Sequence, residues 1–564
     1  MPFISASAIS PYNSIRGGAE GGLVPVSLLL DLYPDALVAY DLRKLSSAYT
    51  GNCIEVRRGS DNAIQDIGFV DGVLDTASLV TFAQGGECYV QTLYDQSGNG
   101  NNATQTVLIN QPQITDSLGA VITKYGKPSI YWYGPANANA SVLSFTQISP
   151  HTVFIAQQLD VQGGAYQQWL LGGSNNDYVS ASSSNPSTGR QYIGSVGNIA
   201  SVRLGSNYMN GELKEFVQNE PNFIRRNTEF NLISMVHDSS ASRLPLASTI
   251  AQRVGVTLQS ALTGWRQSTI IYGTDQSANR VGIERNINSF YNMYWDGSQT
   301  GLLDDYPSAA AAYSLRALNS AYTGPLVRVR RSNNNEKDIF ARYDGSLDTT
   351  DLLEFVNDGF NTGDGFVTMW YDQSGAGNNA AQVSASKQPV LVSNGVINEL
   401  NGKPTMQFLS AFLMDFNLTQ YPFTSGGAAT EKSIFAVAEN NATANQNLYN
   451  IADTRDIYSM TYNRSGNNTY AFLGANYGVI GGNITGQNIV SSLAISPSSE
   501  TFNNTVEGIS SNLVRANFND ISIGSRGGTY PMDGNIQEMI MYESDQSANR
   551  VAIETNINNY YTIY

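Results

Sequence analysis

The chain has 564 residues, of which 41% are hydrophobic and 14% are charged, and its formal net charge is −16 at pH 7. Such an acidic chain is a poor partner for nucleic acid or for an anionic membrane surface, because both attract Lys and Arg. No stretch approaches the roughly eighteen apolar residues of a membrane-spanning helix, and 2 histidines are too few for a His-built metal centre. We therefore expect a multidomain folded protein with no cofactor and with neutral partners such as sugars or other subunits.

Residues 1–27 contain Pro and Gly at intervals that interrupt any regular element. The segment is either a flexible leader or an arm that becomes ordered against a partner protein, and the lack of a second copy in the chain favours the arm. It has no basic region followed by an apolar core, so it does not read as a secretory signal. We therefore predict synthesis in a cytoplasm.

One loop sequence occurs twice, as YDQSGNGNNA at 94–103 and as YDQSGAGNNA at 371–380. Each copy follows an apolar run and consists of small residues that favour tight turns. We call these segments the DQSG loops and predict that each is a rigid turn at the end of a strand. The residues with this predicted structural role are Asp95, Gln96, Ser97, Gly98, Asp372, Gln373, Ser374 and Gly375. The alternative is a calcium site, with oxygen ligands from Asp95, Asn99 and Asn101.

Other segments repeat in the same order, including SAYTG at 47–51 and 320–324 and DQSANR at 275–280 and 545–550. So many matches with few net insertions indicate one fold used twice. The predicted organisation is an N-terminal arm at 1–27, a first domain at 28–296 and a second domain at 297–564.

Each domain is predicted to begin with a helix, because leucines recur at helical spacing. A half-buried strand follows, with alternating residues around Ile54 and around Val327. Asp75 and Asp348 then cap a short helix, and the strand that enters the DQSG loop comes next. The two predicted first helices are Ala36–Ser47 and Ala309–Ser320.

The rest of each domain consists of short β-rich runs separated by Gly, Asn and Ser turns, of which Val153–Ala156 and Ile434–Val437 are the clearest. Each domain closes with a helix that has an apolar face. The face residues are Ile283, Ile287, Phe290 and Tyr291 in the first domain and Ile553, Ile557, Tyr560 and Tyr561 in the second. Many short strands with few helices indicate a β-sandwich.

The segment from the first predicted helix through the DQSG loop follows the pattern SxYxGPLxxVRR…DI…LD…YDQSGxGNxxxQ. This pattern resembles the N-terminal part of the catalytic domain of B-type α-L-arabinofuranosidases. In the second domain, Ser320, Tyr322 and Gly324–Leu326 match it, whereas Cys53 replaces the last of these positions in the first domain. The resemblance implies a mainly β fold: two tandem concanavalin A-like (laminin-G-like) jelly-roll β-sandwiches with short helices.

The ending SDQSANR…IETNIN.YY, which residues 544–561 carry nearly intact, is similar to modules in structural proteins of tailed phages. This similarity and the lack of a recognisable export signal together favour a non-enzymatic virion surface protein, such as a capsid decoration, head fibre or tail fibre. Its expected partners are other virion proteins, bound through the arm, and host surface glycans. A homo-oligomer located in the virion is expected. The alternatives are a glycoside hydrolase of the α-L-arabinofuranosidase type and a cellular adhesin.

A glycosidase needs two carboxyl groups flanking the scissile bond, and no such pair can be assigned from the sequence. The acids common to both repeats each have a structural explanation, namely a strand end, a helix cap, a turn and an exposed helix face. These pairs are Asp66/Asp338, Asp75/Asp348, Asp95/Asp372 and Glu284/Glu554. Asp533 and Glu538 lie near a late strand of the second domain, but the first domain has Thr263 and Ser268 there. We therefore assign no catalytic residue.

Each of three further sets of residues has two possible interpretations. The aromatic residues Trp132, Tyr133, Trp169 and Trp265 are candidate carbohydrate-binding surfaces or core residues. Cys53 and Cys88 form a candidate disulfide or are two buried thiols. Arg57–Arg58 and Arg330–Arg331 bind an anion or, as we favour, pair with Asp66 and Asp338.

Overall fold

The chain divides into two compact units, with the division between Met293 and Tyr294. We call them unit 1 and unit 2; the sequence-based boundary was placed three residues later, after residue 296. The predicted arm at 1–27 lies outside the described residues. The computed structural model describes residues 28–134, 140–159, 168–173, 178–182, 192–194, 206–214, 230–236, 247–251, 262–357, 362–409, 416–418, 431–441, 446–452, 457–462, 469–474, 476–480, 486–495, 498–507, 511–512, 520–525 and 531–564.

The described helices are few and short. They are α1 (Leu29–Leu32), α2 (Thr76–Ala83), α3 (Arg280–Tyr291), α4 (Leu302–Asp305), α5 (Thr349–Asn357) and α6 (Arg550–Tyr561), with 3₁₀ turns at Leu108–Asn110 and Ala385–Lys387. Within the described ranges, no helix has the length and apolar character needed to cross a membrane.

The strands of unit 1 are β1 (Ala36–Asp41), β2 (Ile54–Arg58), β3 (Ile64–Ile67), β4 (Phe69–Val70), β5 (Val73–Leu74), β6 (Cys88–Leu93), β7 (Ala103–Thr104), β8 (Thr123–Lys124), β9 (Lys127–Pro128), β10 (Ile130–Trp132), β11 (Leu143–Ile148), β12 (Thr152–Leu159), β13 (Gln168–Gly172), β14 (Tyr178–Ser182), β15 (Tyr192–Gly194), β16 (Ser206–Met209), β17 (Glu212–Lys214), β18 (Asn231–Val236), β19 (Ala247–Ile250) and β20 (Gly264–Tyr272).

The strands of unit 2 are β21 (Ala309–Ser314), β22 (Val327–Arg331), β23 (Glu336–Ile339), β24 (Gly365–Trp370), β25 (Ala380–Ala381), β26 (Val390–Ser393), β27 (Val396–Ile397), β28 (Glu399–Leu400), β29 (Lys403–Pro404), β30 (Met406–Phe408), β31 (Phe416–Leu418), β32 (Lys432–Asn440), β33 (Gln446–Ala452), β34 (Ile457–Tyr462), β35 (Thr469–Gly474), β36 (Asn476–Ile480), β37 (Gly486–Ile495), β38 (Ser498–Asn503), β39 (Val506–Glu507), β40 (Ser511–Asn512), β41 (Asp520–Ile523) and β42 (Gly534–Tyr542).

The strands of unit 1 form two large antiparallel sheets. One sheet has the order β1-β20-β12-β18-β16-β17, with β10 paired to the end of β20. The other has the order β15-β14-β13-β19-β11-β7-β6-β2-β3. Single bridges from Gln113 to Tyr89 and to Tyr131 connect strand β6 of one sheet to strand β10 of the other.

Unit 2 repeats the central pairings of unit 1. Strands β21, β42, β32 and β37 correspond to β1, β20, β12 and β18, and β24, β22 and β23 correspond to β6, β2 and β3. Further pairings at the sheet edges join the strands of unit 2 into a closed ring. Both units are therefore mainly β with short helices, and the predicted fold class, tandem β-sandwiches, is confirmed.

The main core of each unit is formed by the inward-facing residues of its strands. In unit 1 it includes Val56, Val90 and Trp132, and in unit 2 it includes Val329, Val367 and Trp370. A second cluster in unit 2 lies between the sheet and helix α6, where Phe435 and Ile540 contact the residues of the helix. Strands such as β42 are consequently buried on both faces.

The two predicted first helices are wrong, because Ala36–Asp41 and Ala309–Ser314 are strands. Every residue of these strands is buried except one in each, since one face packs in the core and the other towards the closing helix. A strand buried on both faces loses the polar–apolar alternation by which it is recognised. Leu42 and Leu45, the expected helical face, are buried in the segment that follows β1.

The other predicted elements are confirmed. The carboxylate of Asp75 accepts a hydrogen bond from the Ser78 backbone N–H at the start of α2, as an N-cap does. Helix α3 buries Ile283, Ile287 and Tyr291, and α6 buries the equivalent residues. The runs around Val153 and Ile434 lie in β12 and β32.

Candidate functional site

The DQSG loops are held by the carboxylates at their second positions. In unit 1, Asp95 Oδ1 accepts hydrogen bonds from the backbone N–H groups of Ala39 and Ser97, both at 2.9 Å. Asp95 Oδ2 accepts from Ser97 Oγ at 2.7 Å and from the Asn101 backbone N–H at 3.0 Å. Asp372 makes the equivalent four contacts in unit 2. Both carboxylate oxygens are thus occupied by donors of the protein itself.

The glutamine of each loop continues this network. Gln96 Nε2 donates to the carbonyl oxygens of Asp41 and Arg43, and its Oε1 accepts from the Leu45 backbone N–H. Gln373 makes the same set of contacts in unit 2. The loop therefore connects the end of β6 to β1 and to the irregular segment after it. Among the described residues, no group of three or more His, Cys, Asp and Glu could hold a metal ion.

A cleft of about 630 Å³ opens on unit 1, over the sheet face opposite the core. Part of its floor is formed by a row of side chains on adjacent backbone segments, and the row continues past the lining of the cleft to Trp265. Arg57 lies opposite Tyr89, Tyr89 opposite Gln113, Gln113 opposite Tyr131, and Tyr131 opposite Trp265. Residues directly opposite each other in a sheet point to the same face. We call these five residues the unit 1 row.

Arg57 is buried at one end of the row, with only 6% of its surface exposed. Its Nε donates to Gln111 Oε1 at 2.7 Å and its Nη1 donates to Asn62 Oδ1 at 2.9 Å. Its guanidinium carbon lies 4.8 Å from the centre of the Tyr89 ring. Within the described residues, this cation contacts two side-chain amides, a backbone carbonyl and an aromatic face.

Tyr89 and Glu87 form the acidic part of the cleft. The hydroxyl of Tyr89 donates to Glu87 Oε2 at 2.5 Å. Partial burial, followed in importance by this hydrogen bond, raises the pKa of Tyr89 to about 12. Glu87 is the only carboxylate among the described residues that line the cleft.

Tyr133 stands at the rim of the cleft, with 55% of its surface exposed. Its backbone is fixed, because its N–H donates to Ser141 Oγ at 3.1 Å and its carbonyl accepts from the Ser141 N–H at 2.7 Å. Leu108 and Ile109, on a 3₁₀ turn, form an exposed aliphatic wall. The cleft thus combines a polar floor with an apolar rim.

The structure separates the four aromatic candidates. Trp132 is fully buried, so its prediction as a sugar-binding surface is wrong; alternation along β10 turns it inward while Tyr131 points outward. Tyr133 lines the cleft. Trp265 is half-buried in the row, with Lys124 Nζ 3.9 Å from its ring centre. The side chain of Trp169 lies outside the described part of the chain.

The candidate disulfide is not formed, and Cys53 and Cys88 are both buried free thiols. Strands β2 and β6 are antiparallel neighbours, in which Cys88 lies opposite Arg58 and Leu93 opposite Ile54. Cys53 precedes Ile54, so the two cysteines lie at opposite ends of the pair. A separation of about five residues, or roughly 16 Å, is far beyond the reach of a disulfide.

The predicted pairing of the double-arginine motifs with Asp66 and Asp338 is wrong. Arg58 instead pairs with Asp61, at 2.7 Å. Asp66 accepts a hydrogen bond from the Tyr94 hydroxyl at 2.7 Å. In unit 2 the partner of Asp338 is Arg328, which lies directly opposite it on β22 and β23 and is not part of the motif.

Three further candidate acids are committed to structural contacts. Glu538 is fully buried against Arg316, with Nε to Oε2 at 2.8 Å and Nη2 to Oε1 at 3.0 Å. Glu284 and Glu554, expected on an exposed helix face, are buried and pair with Arg280 and Arg550. This expectation is wrong because these acids face the sheet, where Glu554 also accepts from Ser491 Oγ.

Most of the residues that form the cleft were not predicted from the sequence, among them Glu87, Tyr89, Gln113 and Tyr131. One signal could have found them. The register places Phe366, Val390 and Gln407 of unit 2 at the positions of Tyr89, Gln113 and Tyr131. The repeats therefore differ in chemistry along this row, although the surrounding strand pairings are the same.

Comparison with known proteins finds that segments of both units resemble one enzyme family. The family model described as the catalytic domain of α-L-arabinofuranosidase B matches residues 36–123 and 303–404. In these segments the chain resembles that domain. The matches cover β1 to β8 in unit 1 and α4 to β29 in unit 2, including both DQSG loops.

Individual relatives are fungal. A probable α-L-arabinofuranosidase B of Aspergillus flavus is 38% identical over 95 residues, which are 15% of this chain and 19% of the relative. One of Aspergillus terreus is 29% identical over 168 residues, 27% of this chain and 32% of the relative. An α-L-arabinofuranosidase of Hypocrea jecorina is 45% identical over 64 residues, which are 11% of this chain and 13% of the relative. The chain thus spans about a third or less of the length of these curated relatives.

Two solved structures are similar in part. A GH54 α-L-arabinofuranosidase soaked with a cyclic sulfate inhibitor superposes with a TM-score of 0.35 at 17% identity, over 46% of this chain and 65% of the other. An arabinofuranosidase complexed with arabinofuranosyl-α-1,2-xylobiose superposes with a TM-score of 0.34 at 18% identity, over 46% of this chain and 64% of the other.

These matches overturn the functional prediction made from the sequence. The chain was predicted to be a non-enzymatic virion surface protein, located in the virion as a capsid or tail-fibre component. The relatives are α-L-arabinofuranosidases, which are enzymes, so the virion function, the virion location and the leaning against enzymatic activity are wrong. The resemblance to phage modules is not supported by these matches.

Proposed function

We propose that this chain is a glycoside hydrolase of the α-L-arabinofuranosidase type, with arabinose-containing polysaccharides as its substrates. The observation that supports this best is the match of one catalytic-domain family model to the corresponding segments of both units. The relatives that match part of this chain are α-L-arabinofuranosidases. The cleft of unit 1, with tyrosines, amides and one carboxylate, has the chemistry of a sugar site.

Hydrolysis of a glycosidic bond requires one carboxyl group as acid and another as nucleophile or base, about 5–5.5 or 6.5–9.5 Å apart. Glu87 is suitably placed to be one of the two. The second would come from the acids between β12 and β19 in the sequence of unit 1. These are Asp160, Asp177, Glu212, Glu215, Glu220, Glu229 and Asp238.

The test is release of nitrophenol from 4-nitrophenyl α-L-arabinofuranoside by the purified full chain, together with release of arabinose from arabinan and arabinoxylan. Each of the eight acids is changed singly to its amide, and Glu336→Gln, an exposed acid of β23, serves as the matched control. We expect two of the eight variants to lose about 10²–10⁴-fold in kcat. A chain that hydrolyses none of the three substrates would refute the proposal.

A further inference from the structure

We propose that unit 1 holds a neutral oligosaccharide in a binding groove formed by Tyr89, Gln113, Tyr131 and Tyr133, and that unit 2 has no such groove. The choice of a pentose oligosaccharide as ligand rests on the proposed function. The groove itself is argued from the geometry of the cleft and from the comparison of the two units.

The dimensions of the row fit a chain of sugars better than a single ring. Tyr89 and Tyr131 are separated by one intervening segment, that of Gln113. With about 4.8 Å between neighbouring strands, the two rings lie roughly 10 Å apart. Tyr133, two residues beyond Tyr131 on the same face, extends the surface to the rim.

The chemistry of the row matches a neutral ligand. Tyrosine rings offer flat apolar faces and polar edges, which suit the C–H faces and hydroxyl groups of sugars. The amide of Gln113 offers both a donor and an acceptor. The described residues that line the cleft include one cation, Arg57, and one anion, Glu87, so their charges balance and offer no net attraction to an ionic ligand.

The groove is largely preorganised. The Tyr89 hydroxyl is fixed by Glu87, and the backbone of Tyr133 is fixed by its two hydrogen bonds with Ser141. Side chains that are already ordered lose little entropy when a ligand binds, so more of the contact energy contributes to affinity.

Unit 2 retains the scaffold of this region and lacks its sugar-binding chemistry. Arg330 Nε donates to Gln388 Oε1 at 2.7 Å, the same distance as between Arg57 Nε and Gln111 Oε1 in unit 1. The exposed aliphatic wall is also missing, since Ala385 and Ser386 occupy the positions of Leu108 and Ile109 in the equivalent 3₁₀ turn. In unit 2 the four groove positions are Phe366, Val390, Gln407 and Leu409.

Unit 2 therefore supplies variants that a sheet of this geometry is known to accept. Tyr131→Gln and Tyr133→Leu each introduce the unit 2 residue at the equivalent position of unit 1. Gln407→Ala changes the corresponding position of unit 2 and is the matched control. Tyr133 is exposed, so its replacement leaves the packing of the core unchanged, which circular dichroism would verify for every variant.

The experiment is calorimetric titration of the full chain with arabinopentaose and, for comparison, with a pentameric oligogalacturonide. We expect one site for arabinopentaose, about five- to tenfold weaker binding in each unit 1 variant, and unchanged binding in Gln407→Ala. Absence of binding, equal binding by all variants, or preference for the charged oligosaccharide would overturn the proposal. Binding without hydrolysis would refute the proposed function alone, whereas hydrolysis with no loss of binding in the unit 1 variants would refute this inference alone.

Discussion

Arg316 and Glu538 form a buried bidentate ion pair in unit 2. The equivalent pair in unit 1 is Arg43 with Asp41, and its acid lies on the other strand of the pair. Glu538 on β42 lies opposite Ser314 on β21. In unit 1 the acid is on the first strand, as Asp41, and the serine, Ser268, is on the partner strand. The acid and the serine have thus exchanged strands between the two repeats.

The exchange keeps an acid beside the arginine but changes the quality of the contact. Arg43 Nε lies 3.6 Å from Asp41 Oδ2, which is a salt bridge without a hydrogen bond. The shorter Asp41 side chain instead accepts from the Tyr291 hydroxyl at 2.5 Å. The longer Glu538 reaches Arg316 with both oxygens, so the ion pair of unit 2 is the better one.

Glu538→Gln should lower the free energy of unfolding of unit 2 by about 3 kcal/mol, because it leaves a buried guanidinium without a counter-charge. Scanning calorimetry of the full chain would measure this. The double variant Ser314→Asp, Glu538→Ser recreates the arrangement of unit 1 and should recover part of the loss. A loss of less than about 1 kcal/mol in the free energy of unfolding for Glu538→Gln would mean that the ion pair contributes little to stability.

Asp95→Asn and Asp372→Asn should each destabilise their unit by about 2–3 kcal/mol, because an amide nitrogen cannot accept the two hydrogen bonds that one carboxylate oxygen accepts. Urea unfolding would give the values. Exposed Asp71→Asn is the control.

Chelation tests the calcium alternative for the same loops. Since both oxygens of each carboxylate already accept hydrogen bonds from the protein, we expect the melting temperature to be the same with and without EDTA. A fall in melting temperature that added calcium reverses would identify the loops, or another part of the chain, as a calcium site.

Tyr89 should ionise with a midpoint near pH 12, against about 10 for a tyrosine of the unfolded chain. A pKa that is raised by folding stabilises the fold fully below pH 10, and this stabilisation is lost as the pH rises through 12. The ultraviolet difference between the native chain and Tyr89→Phe isolates this titration. Phenylalanine is the residue that unit 2 has at this position, Phe366, so the variant should fold. A midpoint near 10 would show that the Tyr89 hydroxyl is neither buried nor hydrogen-bonded to Glu87 in solution.

Cys53 and Cys88 should react with a thiol reagent only when the chain unfolds, since both are fully buried and burial raises the pKa of each thiol. Denaturation without a reductant should expose 2 thiols per chain, the whole cysteine content. If no thiol reacted after denaturation and both reacted after reduction, the two cysteines would form a disulfide. That result would contradict the strand register described above.

Local chemistry allowed several features to be predicted from the sequence. The DQSG loops, the Asp75 cap and the closing helices depend on residues that are close together in the chain, so their composition is sufficient to predict them. The repetition of these segments predicted one mainly β fold used twice. The strand Ala36–Asp41 was predicted incorrectly because it is buried on both faces and therefore has no alternating pattern.

Only the tertiary structure brought the candidate site together. Tyr89, Gln113 and Tyr131 are far apart in the chain and become neighbours through strand register, which no local pattern encodes. Register also separated Cys53 from Cys88 and turned Trp132 inward while Tyr133 faces the cleft. Because side chains alternate along a strand, a shift of one residue reverses which of them can contact a ligand. The sequence thus determined the elements, and the pairing of strands decided the site.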